Sequence, residues 1–201
     1  MPSYPAFEME GATFGNFIVN KMPNAKIAVL YQNDDYGKDY LAGLKRALGT
    51  DSSVKIVAEA SYELSDPTVD SQVIRLKASG ADTLIYFTTP KFAAQAIKKA
   101  TELNWKPAQF LASPVNSVRV LSAAGLENVQ GAFTTQFTKQ TGDTAWAEDP
   151  EVKAYVAFIK QWAPNDSPHD FIALSGYVNA EIIADVLQRC GDNQTRGNLL
   201  N

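Results

Sequence analysis

The sequence predicts an α/β protein: a doubly wound parallel sheet, then C-terminal helices that belong to an incomplete second lobe. Three observations carry this. Five short apolar runs sit between turn residues, segments with a helical period separate them, and beyond Phe137 the pattern is helical without further strand runs. Strands buried on both faces read as near-continuous apolar runs, and parallel neighbours need a crossover, usually a helix.

The elements follow in order. Phe7, Phe14, Phe17 and Ile18 mark an opening helix that covers one face of the sheet. The first strand is Ile27-Ala28-Val29-Leu30-Tyr31, entered from Pro23-Asn24. Tyr40, Leu41, Leu44 and Leu48 then recur at helical spacing. Val54 to Ala58 is the second strand, followed by a helix carrying Val69, Val73 and Leu76. Thr83 to Phe87 is the third strand, and Phe92, Ala96, Ala100 and Leu103 form the next helical stripe. Gln109 to Ala112 is the fourth strand, Val118, Leu121 and Leu126 a weaker helix, and Gly131 to Thr135 the fifth strand. Right-handed crossovers join such units. This α/β domain spans 1–137, and 138–201 forms the tail.

In the tail, Asp149-Pro150 reads as an N-cap followed by proline at the first helical position. The helix carries Tyr155, Phe158, Ile159 and Trp162 and stops before Pro164. A stronger helix carries Leu174, Tyr177, Val178, Ile182, Val186 and Leu187, with Gly191 as its C-cap. Helices without a sheet build little core alone, so the tail is expected to complete a lobe that is largely missing.

Composition narrows function. The chain has 201 residues, 45% hydrophobic and 20% charged, enough for one domain plus part of a second. Its net charge is -4, and its densest basic stretches, Lys45-Arg46 and Lys98-Lys99, fall on helices that face water, which argues against nucleic acid. The single Cys190 and single His169 exclude an internal disulfide and make a poor transition-metal site. No apolar run has the length to span a bilayer. Met1-Pro2-Ser3-Tyr4 does not resemble a secretory signal, so either the protein is cytoplasmic or its signal is not in this chain.

Enzyme signatures are missing. The first strand ends in Gln32-Asn33-Asp34-Asp35-Tyr36-Gly37, without the glycine-rich turn of a dinucleotide site. No phosphate-cradling loop or nucleophile elbow occurs. Asp34 and Asp35 suggest a receiver domain, but the third strand ends in Phe87-Thr88-Thr89-Pro90, where a receiver needs a phosphorylatable aspartate. The expectation is a non-enzyme without cofactor or metal.

Ligands of open α/β sheets bind beyond the carboxyl ends of the strands. Three loops lie there: Asn33 to Gly37, Thr88 to Phe92, and Ser113 to Ser117. Two of them pair a hydroxyl residue with proline at a helix start, which aims amide N–H groups at the sheet end and could seat a carboxylate. Plain helix capping explains the same residues. Tyr36 offers a ring and a hydroxyl to a ligand, or packs on its own helix.

At these loops the chain resembles the type I periplasmic solute-binding family, in its branched-chain amino-acid branch. The resemblance rests on KIAVLYQNDDYGKDYLAGLKRALG at 26–49, DPTVDSQVIRLKASGAD at 66–82, TTPKFAAQAI at 88–97 and GYVNAEIIADVL at 176–187. It implies a two-lobed receptor that closes on a small solute and passes it to the membrane permease of an ABC importer in the periplasm. It further implies that 1–137 is the second lobe and that the chain is a fragment. The ligand-binding residues it implies are Tyr36, Asp35, Thr88, Thr89, Phe92, Ser113 and Asn116. Amino-acid binders of the family commonly place an acid in the fourth-strand loop. Here Ser113-Pro114-Val115-Asn116 stands instead, which suits an aliphatic or aromatic carboxylate equally well, unless Asp34 or Asp35 replaces the acid. The fragment is expected to bind solute weakly and, through uncovered apolar surface on the tail, to self-associate. A ligand-sensing domain of a regulatory or signalling receptor is the alternative; an enzyme on a flavodoxin-like sheet is the third.

Overall fold

The computed structural model describes residues 4–50 and 53–200. Its elements alternate as the hydrophobic pattern requires. Helix α1 is Phe7–Lys21, followed by β1 Lys26–Gln32, α2 Asp35–Leu48, β2 Lys55–Tyr62, α3 Asp70–Ala78 and β3 Thr83–Phe87. Then come α4 Pro90–Glu102, β4 Ala108–Leu111, α5 Val118–Ala124 and β5 Phe133–Thr134. The tail holds α6 Pro150–Trp162, α7 Phe171–Cys190 and α8 Arg196–Leu200.

The five strands form one sheet in the order β2-β1-β3-β4-β5, every neighbouring pair parallel. Alternate residues feed opposite faces. Ile27, Val29, Ile85, Phe87 and Phe110 pack with α1 and α2. Ala28, Leu30, Leu84, Tyr86 and Leu111 pack with α3, α4 and α5. β3 is buried at every position, as a central strand between two helical layers must be.

α1 and α2 pack closely enough that a Cβ on Gly43 would lie 1.9 Å from the Glu8 carbonyl oxygen. Glycine is the only residue that fits there.

Two elements depart from the sequence reading. β2 runs to Tyr62, past the expected end at Ala58. It borders one side of the sheet, and Glu59 and Ser61 on its less buried positions interrupt the apolar run. In α5 the buried residues are Val120 and Ala124, whereas Val118 and Leu126 are exposed. Gly125, at φ 89°, ends that helix before Leu126.

The chain divides into two compact units. One is Ala6–Thr135; the other joins the described part of Met1–Pro5 to that of Gln136–Asn201. Among the described residues the second unit has helices and no strand. Asp149 caps α6 by accepting from the Glu151 and Val152 amides, with Pro150 at the first turn. Gly191, at φ 52°, ends α7. Tyr155, Ile159 and Leu174 form its small core.

Candidate functional site

The strand order reverses direction between β1 and β3, so the loops leaving these strands diverge to opposite faces, and open α/β sheets take ligands at such a switch point. The first loop is tightly built. The Asp34 carboxylate accepts from the Gly37 amide at 3.2 Å and from the Gln32 side-chain amide, which caps α2. A Cβ on Gly37 would meet the Gln32 carbonyl oxygen at 2.1 Å, so the Tyr36-Gly37 pair lets the helix start directly against β1. Tyr36 is half-buried; its hydroxyl donates to the Thr88 carbonyl at 3.1 Å, and its ring meets Phe7 and Tyr40 edge-on. Asp35 is exposed in the first turn of α2.

The second loop is organised by Tyr62, which the sequence reading missed. Its hydroxyl donates to Gln32 Oε1 at 3.1 Å and accepts from the Thr89 amide at 2.9 Å. With its one proton on Gln32, it can only accept from the Thr89 hydroxyl, 3.3 Å away. The donors of Thr89 thus point at Tyr62 rather than outward. Burial, the largest influence, raises the Tyr62 pKa. The signal in the sequence was the alternation Ile56, Ala58, Ala60, Tyr62, which continues the strand beyond its apolar stretch. Thr88 is fully buried, and its Oγ1 has no hydrogen-bond partner among the described residues. Phe92 is 2% exposed on the core face of α4, with its ring 4.2 Å from that of Tyr62 in a tilted arrangement. It supports Tyr62, and through it the Thr89 loop, from behind.

In the third loop Ser113 also turns inward. Its amide and hydroxyl both donate to Glu10, at 2.6 and 2.8 Å. Asn116 stays half-buried at the end of the 3-10 turn Ser113–Val115. The structure therefore joins Tyr36 directly to Thr88, and links the third loop to them through Tyr40 and Glu10. Glu10 was not singled out in the sequence, since a charged residue in the opening helix reads as solvent-facing.

The helical unit holds a separate cleft of about 450 Å³, walled by Phe137, Val152, Leu174 and Val178 and by the stems of Lys139 and Glu181. None of the expected site residues lines it. Tyr155 reaches this cleft; its hydroxyl is buried with no partner among the described residues, and burial, with Asp170 and Asp166 nearby, pushes its pKa up to about 12. Lys139 bonds Asp149 at 2.7 Å, which lowers the Asp149 pKa. Among the described residues no group of three His, Cys, Asp or Glu could hold a metal ion, and no helix is long and apolar enough to cross a membrane.

Fold and site define a class: an open, parallel, doubly wound α/β unit with polar side chains gathered at its switch point. The chain belongs to the Periplasmic binding protein family, whose model matches residues 1–201. It is 23% identical over 167 residues to a Leu/Ile/Val-binding protein homolog 7 of Brucella abortus, covering 82% of this chain and 41% of that protein. A substrate-binding periplasmic protein of Ralstonia solanacearum superposes with a TM-score of 0.84 at 22% identity, over 99% of this chain and 55% of that one. A solute-binding protein of an R. palustris ABC transporter, in complex with benzoate, gives 0.77 at 18% identity, over 96% and 51%. The chain thus spans about half the length of these proteins, or less.

Proposed function

We propose that the chain supplies one wall of the solute cleft of an ABC-importer binding protein, acting in the periplasm and delivering its solute to a membrane permease. What supports this is the switch point between β1 and β3, where Tyr36, Asp35, Thr89 and Asn116 stand on loops leaving the carboxyl end of the sheet. The mechanism needs binding energy alone. A solute that contacts both walls of a closed cleft favours the closed form by its differential affinity.

The solute class follows from where the acids are engaged. Asp34 is held by the Gly37 amide and Gln32, and Glu10 by Tyr40 and Ser113. Asp35 is the acid on these loops that lies exposed. On this wall an amino acid would find an acid for its ammonium at Asp35 alone, whereas a simple carboxylate needs no acid. The names of the relatives span both choices, a Leu/Ile/Val-binding homolog and a benzoate complex. The reading favours an aliphatic or aromatic carboxylate.

The test is amide NMR of the chain with millimolar benzoate and, separately, L-leucine. Shifts at Tyr36, Thr89 and Asn116 that saturate with benzoate are expected, at weak affinity. Absence of any shift at these amides with either solute refutes the proposal. We also propose that the apolar surface of the helical unit drives association of the isolated chain.

A further inference from the structure

We infer that Glu10 is the positioning residue of the switch-point loops, holding the loop after β4 and the end of β5 in one fixed arrangement. Its use rests on the solute-binding reading above; its geometry does not. Glu10 lies on α1 and is 6% exposed. Four donors converge on its two carboxylate oxygens. Oε2 accepts from the Tyr40 hydroxyl at 2.7 Å and the Ser113 hydroxyl at 2.8 Å. Oε1 accepts from the Ser113 amide at 2.6 Å and from the Thr135 hydroxyl. A carboxylate offers about four acceptor sites, so this set fills it.

The partners come from separate segments of the unit. β5 is two residues long, and both are exposed. It pairs with β4 only at Phe133 and Thr134, and Thr135 is the last residue of its unit. Ser113 opens the turn that presents Asn116. Both segments lie more than a hundred residues from Glu10 in sequence, so the carboxylate ties distant loops to α1. Tyr40 extends the link to Tyr36, whose ring it meets at 5.2 Å. Glu10 itself need not touch solute. Its task is to fix the backbone from which Asn116 is displayed and the point where the chain leaves the sheet.

Two substitutions separate this role from packing. Glu10→Gln keeps a carbonyl oxygen for the Ser113 amide and the Thr135 hydroxyl, while its amide faces two hydroxyls that can rotate to accept. Glu10→Met keeps the volume and loses every acceptor. Hydrogen exchange at the Ser113 amide, followed by NMR, reads the bond directly. Protection is expected to fall about tenfold or more in Glu10→Met and to stay near wild type in Glu10→Gln. Equal protection in both variants, or the reverse order, overturns the inference. Should Glu10→Met fail to fold, Thr135→Val removes one donor at nearly constant volume. In that variant the amide of Leu111, which faces β5 because its neighbour Ala112 bonds to Tyr86 on β3, is expected to lose protection, and unchanged protection there overturns the link to β5.

Benzoate shifts at Asn116 supply the second arm. They are expected to weaken in Glu10→Met and persist in Glu10→Gln; shifts unchanged in Glu10→Met overturn the positioning role. If wild-type protein shows no shifts at all, the solute-binding reading fails, and the exchange comparison alone decides whether Glu10 holds the loop.

Discussion

At the residue scale, buried hydroxyls set the sharpest expectations, because each either has a partner or costs free energy. Tyr155 is 2% exposed, yet its hydroxyl has no partner among the described residues. Burying an unbonded hydroxyl costs about 1–3 kcal/mol on protein mutational scales, so Tyr155→Phe should leave stability at neutral pH unchanged or higher. The pH dependence has a definite sign. The folded pKa of about 12 lies above the ordinary value of 10.0, so between these values the unfolded chain loses the proton first. Tyr155 therefore leaves the fold at its full stability below pH 10 and lowers it as pH rises from 10 toward 12. Tyr155→Phe should flatten that part of the alkaline limb in urea unfolding; a limb of unchanged slope would show that the hydroxyl is not desolvated. Tyr62 is the contrasting case, since its hydroxyl has three neighbours in Gln32 and Thr89. This difference was not legible in the sequence, where both are tyrosines near apolar runs.

At the element scale, helix packing reverses what intrinsic propensity dictates. Glycine in a helix interior costs about 1 kcal/mol relative to alanine. Gly176 in α7 has open space around a would-be Cβ, so Gly176→Ala should raise stability by about that amount. A Cβ on Gly43 in α2 would lie 1.9 Å from the Glu8 carbonyl oxygen, so Gly43→Ala must push α1 away and should cost about 1–3 kcal/mol. Thermal unfolding of the two variants checks both signs; stabilisation by both would mean that α1 is not docked tightly. Elements were largely legible because the apolar period is local. The central strand Thr83–Phe87 and the α6 cap at Asp149-Pro150 fall where the residues predict. The site was less legible because its hydrogen bonds are not local. Tyr36, Thr89 and Asn116 stand on the expected loops, but nothing near Phe92 in sequence shows that it packs under Tyr62, thirty residues earlier. Nothing near Ser113 shows that a carboxylate on α1 accepts from it.

At the scale of the whole molecule, the two units differ in how much apolar surface they cover. The sheet unit seals both its faces with helices, whereas the helical unit has only a small core at Tyr155, Ile159 and Leu174. On α6, Phe158 and Trp162 lie one turn apart and are 44% and 67% exposed. On α7, Ile183 and Leu187 do the same at 59% and 36%, with Ile172 at 54%. Single exposed apolar residues are ordinary, but two such stripes on neighbouring elements in sequence mark surface that water covers poorly. In the isolated chain a second copy is the nearest cover, and a twofold arrangement would bury the same stripes of both copies. Sedimentation velocity should therefore show a weight-average mass that rises with protein concentration. Trp162→Lys combined with Ile183→Lys places charge in the stripes without touching the core residues, and should return the protein to a monomer with its unfolding temperature nearly unchanged. A chain that sediments as a monomer at every concentration would show that these stripes tolerate water. Association that survives the double substitution would place the contact elsewhere on the molecule.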